Sequence, residues 1–295
     1  MITQTSDVVA DYNNGYTLQK LHAKYGIYPE KLKKLLRNAN VTLREIGALS
    51  RKYTVDHTYF DIIDSAEKAY FLGLLYADGC NYERSSSVQI QLQKRDCAVL
   101  ELLNKGIKNQ RPIKYFTRTT KSGEVKEYGM LRIHSKQLSK RLFELGCVYK
   151  KSAVLTAPPV NEIPEKFKNS FILGFFDGDG TIPYYKKCDQ YSMTFICNNL
   201  FQVYIENILK NELGLHVTNI IRMKKKTSQP LHMLTVGSIP GMAKLINWLR
   251  SSATDTLQIE RKKERMDNVL KKMETYITPS ERGRLIMQKM NKAKI

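Results

Sequence analysis

The chain has 295 residues, enough for two or three domains and too many for one small core, and its apolar fraction of 42% excludes wholesale disorder. Lys and Arg number 48 against 28 Asp and Glu, a formal net charge of +20 with an isoelectric point near 9.6, and such a field favours a polyanion: nucleic acid or an acidic membrane surface. The membrane reading is weak, because no apolar run approaches the ~20 residues of a spanning helix and the first residues carry neither a basic nor an apolar leader region.

The first predicted unit is residues 1–48. Val8, Val9 and Tyr12 begin an apolar stripe that breaks at Asn13-Asn14-Gly15. Thr17 is placed to cap a helix over Leu18–Lys24, and Gly26 can supply the positive φ of the turn that follows. Pro29 suits the first turn of a third helix, in which Leu32, Leu35 and Leu36 point inward and Lys31, Lys33, Lys34 and Arg37 point outward. This pattern, with its closing Asn40-Val-Thr-Leu-Arg44, resembles the helix-turn-helix of many resolvase-like and phage proteins. The resemblance puts Tyr28, Glu30, Lys31 and Lys34 near base edges, while a small protein-interaction module is the alternative. Residues 49–65 read as a linker.

Residues 66–160 read as the first of two repeats. The segment Phe71-Leu-Gly-Leu-Leu-Tyr-Ala-Asp-Gly79 is helical and ends at Asp-Gly. The clearest strand follows at Val88–Gln93, with Val88, Ile90 and Leu92 on one face and Gln89, Gln91 and Gln93 on the other. That glutamine row is either a solvated face or a surface offering bidentate contacts to adenine. Helix-like Cys97–Lys105, strand candidates at 113–119 and 127–133, and helix-like Ser135–Leu145 complete the half.

Residues 161–272 repeat the pattern. Ile172-Leu-Gly-Phe-Phe-Asp-Gly-Asp-Gly180 matches the earlier segment at 101-residue spacing, since Asp78 and Asp179 occupy corresponding places. Strand candidates at 191–197, 217–224 and 231–236 alternate with helix-like Leu200–Leu213 and Ile239–Leu249. Each half therefore reads as helix, two strands, helix, two strands, helix: an α+β pseudosymmetric pair of αββαββα repeats with antiparallel sheets, plus the small all-α front unit. A basic tail occupies 273–295. The five cysteines (Cys80, Cys97, Cys147, Cys188, Cys197) form no Cys-x-x-Cys pair and read as reduced thiols of a cytoplasmic protein.

Gly73 and Ala77, like Gly174 and Gly178, stand at i and i+4, so each pair offers a small-residue face on which two helix backbones can nearly touch. Gly79 and Gly180 are then expected to cap those helices in the left-handed conformation. Asp78 and Asp179 emerge together, each opposing its helix dipole and repelling the other, an arrangement that a hard divalent cation relieves. Two such acids on a pseudo-two-fold axis suit two phosphates on opposite strands.

The paired segments resemble the LAGLIDADG motif, and the text around them (Leu145-Gly-Cys-Val-Tyr-Lys-Lys-Ser152, and Ile259-Glu-Arg-Lys262) resembles the same homing-endonuclease family over about residues 65–272. The resemblance implies a saddle of two four-stranded sheets along double-stranded DNA. It implies Mg²⁺ (or Mn²⁺) held by Asp78 and Asp179 with the carbonyls of Ala77 and Gly178, and basic helpers at Lys151 and Lys262. It further implies cleavage of both strands by a monomer with no obligate protein partner, encoded within an intron or by a phage. Gln93 and Asn198, at strand ends, are candidates to orient water. Gln89, Gln91, Arg118, Arg132, Lys186, Arg222 and Lys224 are the DNA-facing candidates of the repeats. One departure is Tyr76 at the sixth motif position, where the second helix has Asp177; Asp177 is read as a supporting residue, and the inequality leaves room for strand bias. Alternatives are a catalytically silent DNA-binding regulator on the same scaffold and an intron RNA maturase; an intein-embedded enzyme fits least, for want of splice-junction residues.

Overall fold

A computed structural model describes residues 2–43, 53–151, 154–223, 230–252, 257–278, 281, 284 and 287. The chain divides into two units, Met1–Thr54 and Val55–Ile295.

In the first unit three helices, α1 (Ile2–Asn13), α2 (Leu18–Tyr25) and α3 (Pro29–Asn38), close around Val8, Tyr12, Leu21, Leu32 and Leu36. The local signals act as expected. Thr17 Oγ1 accepts from the Lys20 amide at 3.1 Å, Gly26 stops α2 at φ 70° and returns its N–H to His22 O, and Pro29 opens α3. Lys24 and Tyr25 both donate to Asp11 at 2.7 Å, tying α2 to α1. Lys31 and Lys34 are exposed on α3. Lys33 is less free than expected, because it pairs with Glu30 at 2.6 Å.

The expected linker at 49–65 needs correction. From Val55 onward the chain belongs to the second unit: Tyr59, Phe60 and Ile63 are buried in its core, and Arg141 holds the Phe60 and Asp61 carbonyls at 3.2 and 3.1 Å. An aromatic-rich segment with backbone acceptors for a nearby arginine lowers its free energy by packing rather than by solvation.

The second unit runs α4 (Ala66–Asp78), β1 (Gly79–Tyr82), β2 (Ser87–Gln93), α5 (Ala98–Gly106), β3 (Lys114–Thr119), β4 (Val125–His134), α6 (Lys136–Glu144), then the second repeat. That repeat runs α7 (Lys168–Asp179), β5 (Gly180–Thr181), a small hairpin of β6 (Tyr184–Tyr185) and β7 (Gln190–Tyr191), β8 (Met193–Asn198), α8 (Asn199–Asn207), β9 (Thr218–Arg222), β10 (Leu231–Val236), α9 (Ile239–Arg250) and α10 (Glu260–Glu274). Two antiparallel four-stranded sheets result, ordered β1-β2-β4-β3 and β5-β8-β10-β9. The same strand order in both halves bears out the pseudosymmetric α+β reading.

Three boundaries differ from expectation. The helix expected over 200–213 ends at Asn207 and continues as a π-turn to Glu212. The hairpin β6/β7 is extra, and α10 takes in Met273 and Glu274, the first two residues of the expected tail. Most of the basic tail lies outside the described residues. The expected inward face of β2 is correct: Val88, Ile90 and Leu92 are buried, and Gln89, Gln91 and Gln93 are half-buried on the other side. Both α4 and α7 are buried almost all round, from Ala69 to Tyr76 and from Asn169 to Asp177, because each packs against the other helix and against a sheet. Among the described residues no helix is long and apolar enough to cross a membrane.

Candidate active site

The site is built where α4 and α7 meet. A Cβ added to Gly73 would lie 1.9 Å from Phe171 O, and one added to Gly174 would lie 1.9 Å from Tyr70 O. These reciprocal contacts put backbone against backbone, and only glycine leaves the room. Lower on the same face a Cβ on Gly178 would meet Ala77 Cβ at 2.2 Å and Asp78 Oδ2 at 3.1 Å. The carboxylate of one helix end thus lies against the end of the other.

Gly79 and Gly180 do not take the left-handed conformation expected of them. Their backbones are extended, at φ −74° and −98°, and lead straight into β1 and β5. Glycine is needed for a different reason: a Cβ would fall 2.5 Å from Leu75 O or 2.3 Å from the Phe176 ring. Each acid therefore stands at a junction where helix passes directly into the first strand of its own sheet.

Asp78 and Asp179 are both half-buried. Burial holds the Asp78 carboxyl above the usual carboxylate range, opposed by the nearby Lys151, Lys262 and Arg261. The two lysines arrive from matching places after α6 and at the start of α10. Lys151 Nζ donates to Ala77 O at 2.7 Å. Lys262 is only 2% exposed, and its ammonium donates to Phe176 O at 2.7 Å and Asp177 O at 2.5 Å, with Gly178 O at 3.5 Å. Burial lowers Lys262 to about 8, with Asp177, Asp78 and Asp179 pulling the other way. The carbonyls of Ala77 and Gly178, expected to help the acids hold a metal, thus already lie beside lysine ammonium groups.

Those donors fit a hard divalent ion. All are oxygens: two carboxylates and two helix-end carbonyls, and a carbonyl with one lysine bond keeps a second lone pair. Among the described residues no cluster of three or more Asp, Glu, His or Cys exists that could hold a metal ion. Protein ligands so few suit Mg²⁺, which keeps water and takes phosphate oxygens, better than a metal needing a closed protein cage.

Of the two candidates for orienting water, Asn198 caps α8, its Oδ1 accepting from the Phe201 amide at 2.8 Å, and it is buried. Gln93 ends β2, is half-buried and makes no cap bond to the turn that follows. Sequence reasoning missed Asp96, Arg261 and Tyr70. Asp96 is 6% exposed, and the Arg261 Nε–H is shared between its two carboxylate oxygens at 3.0 and 3.1 Å, so one repeat grips the other. Arg95, Arg261, Lys262 and Arg265 also line a cleft of about 430 Å³, together with Thr181 and Glu264. Nothing local marks these partners, which are 165 residues apart in the Asp96–Arg261 pair.

On the outer face of the first sheet Gln89 stands opposite Arg132, and the arginine Nη2 donates to Gln89 Oε1 at 2.6 Å. Gln91 is opposite Met130, and Arg118 lies over the Phe116 and Tyr128 rings. The corresponding face of the second sheet carries rows of Thr181, Thr194, Thr235 and Thr218, then Ile196, Met233 and Ile220, with Arg222 exposed at one end. Lys186 is exposed in the β6/β7 hairpin. Lys224 lies outside the described residues.

Comparison with protein-family models gives no match, and neither does comparison with curated proteins. The solved structures to which this chain is similar include LAGLIDADG proteins. The homing endonuclease I-WcaI bound to its DNA recognition sequence is 12% identical at a TM-score of 0.49, over 75% of this chain and 95% of that one. The LAGLIDADG homing endonuclease I-GzeII in complex with a DNA target is 11% identical at 0.41, over 74% and 96%. Full-length DUF199/WhiA from Thermatoga maritima is 14% identical at 0.44, over 81% and 72%.

Proposed function

We propose that the chain is a metal-dependent endonuclease that cuts both strands of a long, specific DNA duplex and acts as a monomer. The observation that carries the reading is the paired helix ends: Asp78 and Asp179 delivered by a glycine contact, each with a lysine seated on the last-turn carbonyls. A regulator that only bound DNA would have no need for two half-buried acids in this surround, since each lowers affinity for phosphate.

Asp78 and Asp179, with Ala77 O and Gly178 O, would hold Mg²⁺ or Mn²⁺. The ion would supply Lewis-acid polarisation of a phosphate oxygen and a water of lowered pKa. Lys151 and Lys262 place positive charge where negative charge grows on the phosphorane, and the apolar helix pair behind them keeps that field unscreened. The first sheet, with Gln89, Gln91, Arg118 and Arg132, reads one half-site by polar contacts. The second sheet, with its threonine and aliphatic rows and Arg222, favours thymine methyl groups in the other. Lys186 and Lys224 serve the backbone, and α3 of the first unit, through Lys31 and Lys34, reads a flanking segment of major groove.

The test is cleavage of a randomised duplex library in Mg²⁺ with sequencing of the ends. One dominant site cut in both strands is expected. Asp78→Asn and Asp179→Asn are each expected to abolish double-strand cleavage of that site while leaving affinity within a few-fold. Wild-type protein that binds a duplex but cuts none, in Mg²⁺ or Mn²⁺, would refute the proposal and favour the silent regulator.

A further inference from the structure

Asp177 is 1% exposed, and its carboxylate is engaged across the repeat boundary. Oδ2 accepts from the Tyr70 hydroxyl on α4 at 2.6 Å and from the Ile259 amide at 2.8 Å, while Oδ1 has no hydrogen-bond partner among the described residues. Ile259 immediately precedes α10 and its carbonyl accepts the Lys262 amide at 2.9 Å. Lys262 therefore sits one turn beyond the residue that Asp177 grips, and its ammonium returns to the carbonyl of Asp177 itself.

The first repeat is built otherwise. Tyr76 fills the matching place, and its hydroxyl donates to Leu145 O at the end of α6, beside Gly146 at φ 100°. From Leu145 five residues intervene, the last of them Lys150 at φ 54°, before Lys151. Lys151 is half-buried and, among the described residues, makes one carbonyl bond rather than two close ones. A buried carboxylate with one oxygen unpaired costs free energy that packing alone does not require, and Tyr76 shows that the helix pair closes without it.

Resting on the nuclease reading, we propose that Tyr70 and Asp177 are positioning residues for Lys262, so that one half-site is held rigidly from across the repeat boundary and the two strands are cut by centres that can be uncoupled. The full-length chain and its Asp177→Asn and Tyr70→Phe variants, checked by thermal melts for folding, are assayed on the selected duplex with each strand labelled in turn. Asp177→Asn is expected to slow one strand by about 10–100-fold, the penalty of a misplaced charged group, and the other by less than about two-fold. Nicked duplex then accumulates, with kcat lowered and KM unchanged. Equal slowing of both strands, or of neither, would overturn the proposal.

A second readout does not need cleavage. In wild-type protein Lys262 is expected to resist acylation by an N-hydroxysuccinimide ester far longer than Lys151, as followed by mass spectrometry. In the Asp177 and Tyr70 variants Lys262 becomes labelled several-fold faster while Lys151 does not change. Unchanged protection of Lys262 would refute the positioning role even if the chain cuts DNA. Faster labelling of Lys262 in these variants of a chain that cuts no duplex would uphold the positioning and refute the nuclease.

Discussion

Substituting alanine for Gly174 separates two accounts of the motif helices by sign alone. If Gly174 were an ordinary helical residue, alanine would stabilise the protein by about 1 kcal/mol through helix propensity. In this structure the new Cβ would sit 1.9 Å from Tyr70 O, 2.8 Å from Tyr70 C and 2.9 Å from Leu74 N, every one a backbone atom of α4. The shortfall from ordinary contact is roughly 1.5 Å, and a backbone has no rotamer to change. Overpacking of a core costs about 1–3 kcal/mol when side chains can adjust, so the upper end or beyond applies. Set against the propensity gain, a net loss of about 2 kcal/mol or more is expected, a shift of roughly 0.5–1 M in urea midpoint for a slope of ~2–4 kcal/mol/M. Trp248, the single tryptophan, lies on α9 in the same unit and reports its unfolding by fluorescence. Gly237→Ala is the matched control, because nothing lies within 4 Å of its Cβ; a change within about 0.5 kcal/mol is expected there. A Gly174→Ala protein as stable as wild type would refute the close contact and, with it, the juxtaposition of Asp78 and Asp179.

Binding to the selected duplex should weaken with salt at a log–log slope of about 0.9 per neutralised phosphate, and a slope near zero would contradict a DNA surface of this charge. Deleting residues 1–54, the boundary of the first unit, should shorten the footprint on one flank only and leave cleavage at saturating protein; loss on both flanks would show the unit to be integral to the core. In the isolated first unit, the bonds from Lys24 and Tyr25 hold Asp11 below its ordinary value of 3.8, so their stabilisation is complete above that value and is lost as pH falls through the lower folded value. Helicity of the unit should therefore be flat from neutrality to about pH 5 and fall below it, and Asp11→Asn should shrink the acid step to the part that Glu30 carries through Lys33 while lowering the plateau; an unchanged acid step in Asp11→Asn would sink that assignment.

The repeat, the strand faces and the helix caps were legible because each is a local pattern. Alternation at Val88–Gln93 must turn one face to the core, Thr17 must precede the helix it caps, and two Asp-Gly segments at 101-residue spacing announce two copies of one unit. The left-handed reading of Gly79 and Gly180 failed because sequence does not reveal that a strand begins on the next residue; close approach to Leu75 and Phe176, not a positive φ, is what excludes a side chain there. The linker reading failed likewise, since Phe60 finds its core and Arg141 its acceptors only after α6 has folded beside them. By itself the sequence determined two α+β repeats, a three-helix front unit and the pair of acids, all set by periodicity and composition over short spans. Only the tertiary structure decided that Lys262 would be buried on the carbonyls of α7, that Asp177 would hold the start of α10, and that Arg261 would find Asp96. Those contacts join residues 82 to 165 apart, and their free energy depends on desolvation and on distances that no short window of sequence contains.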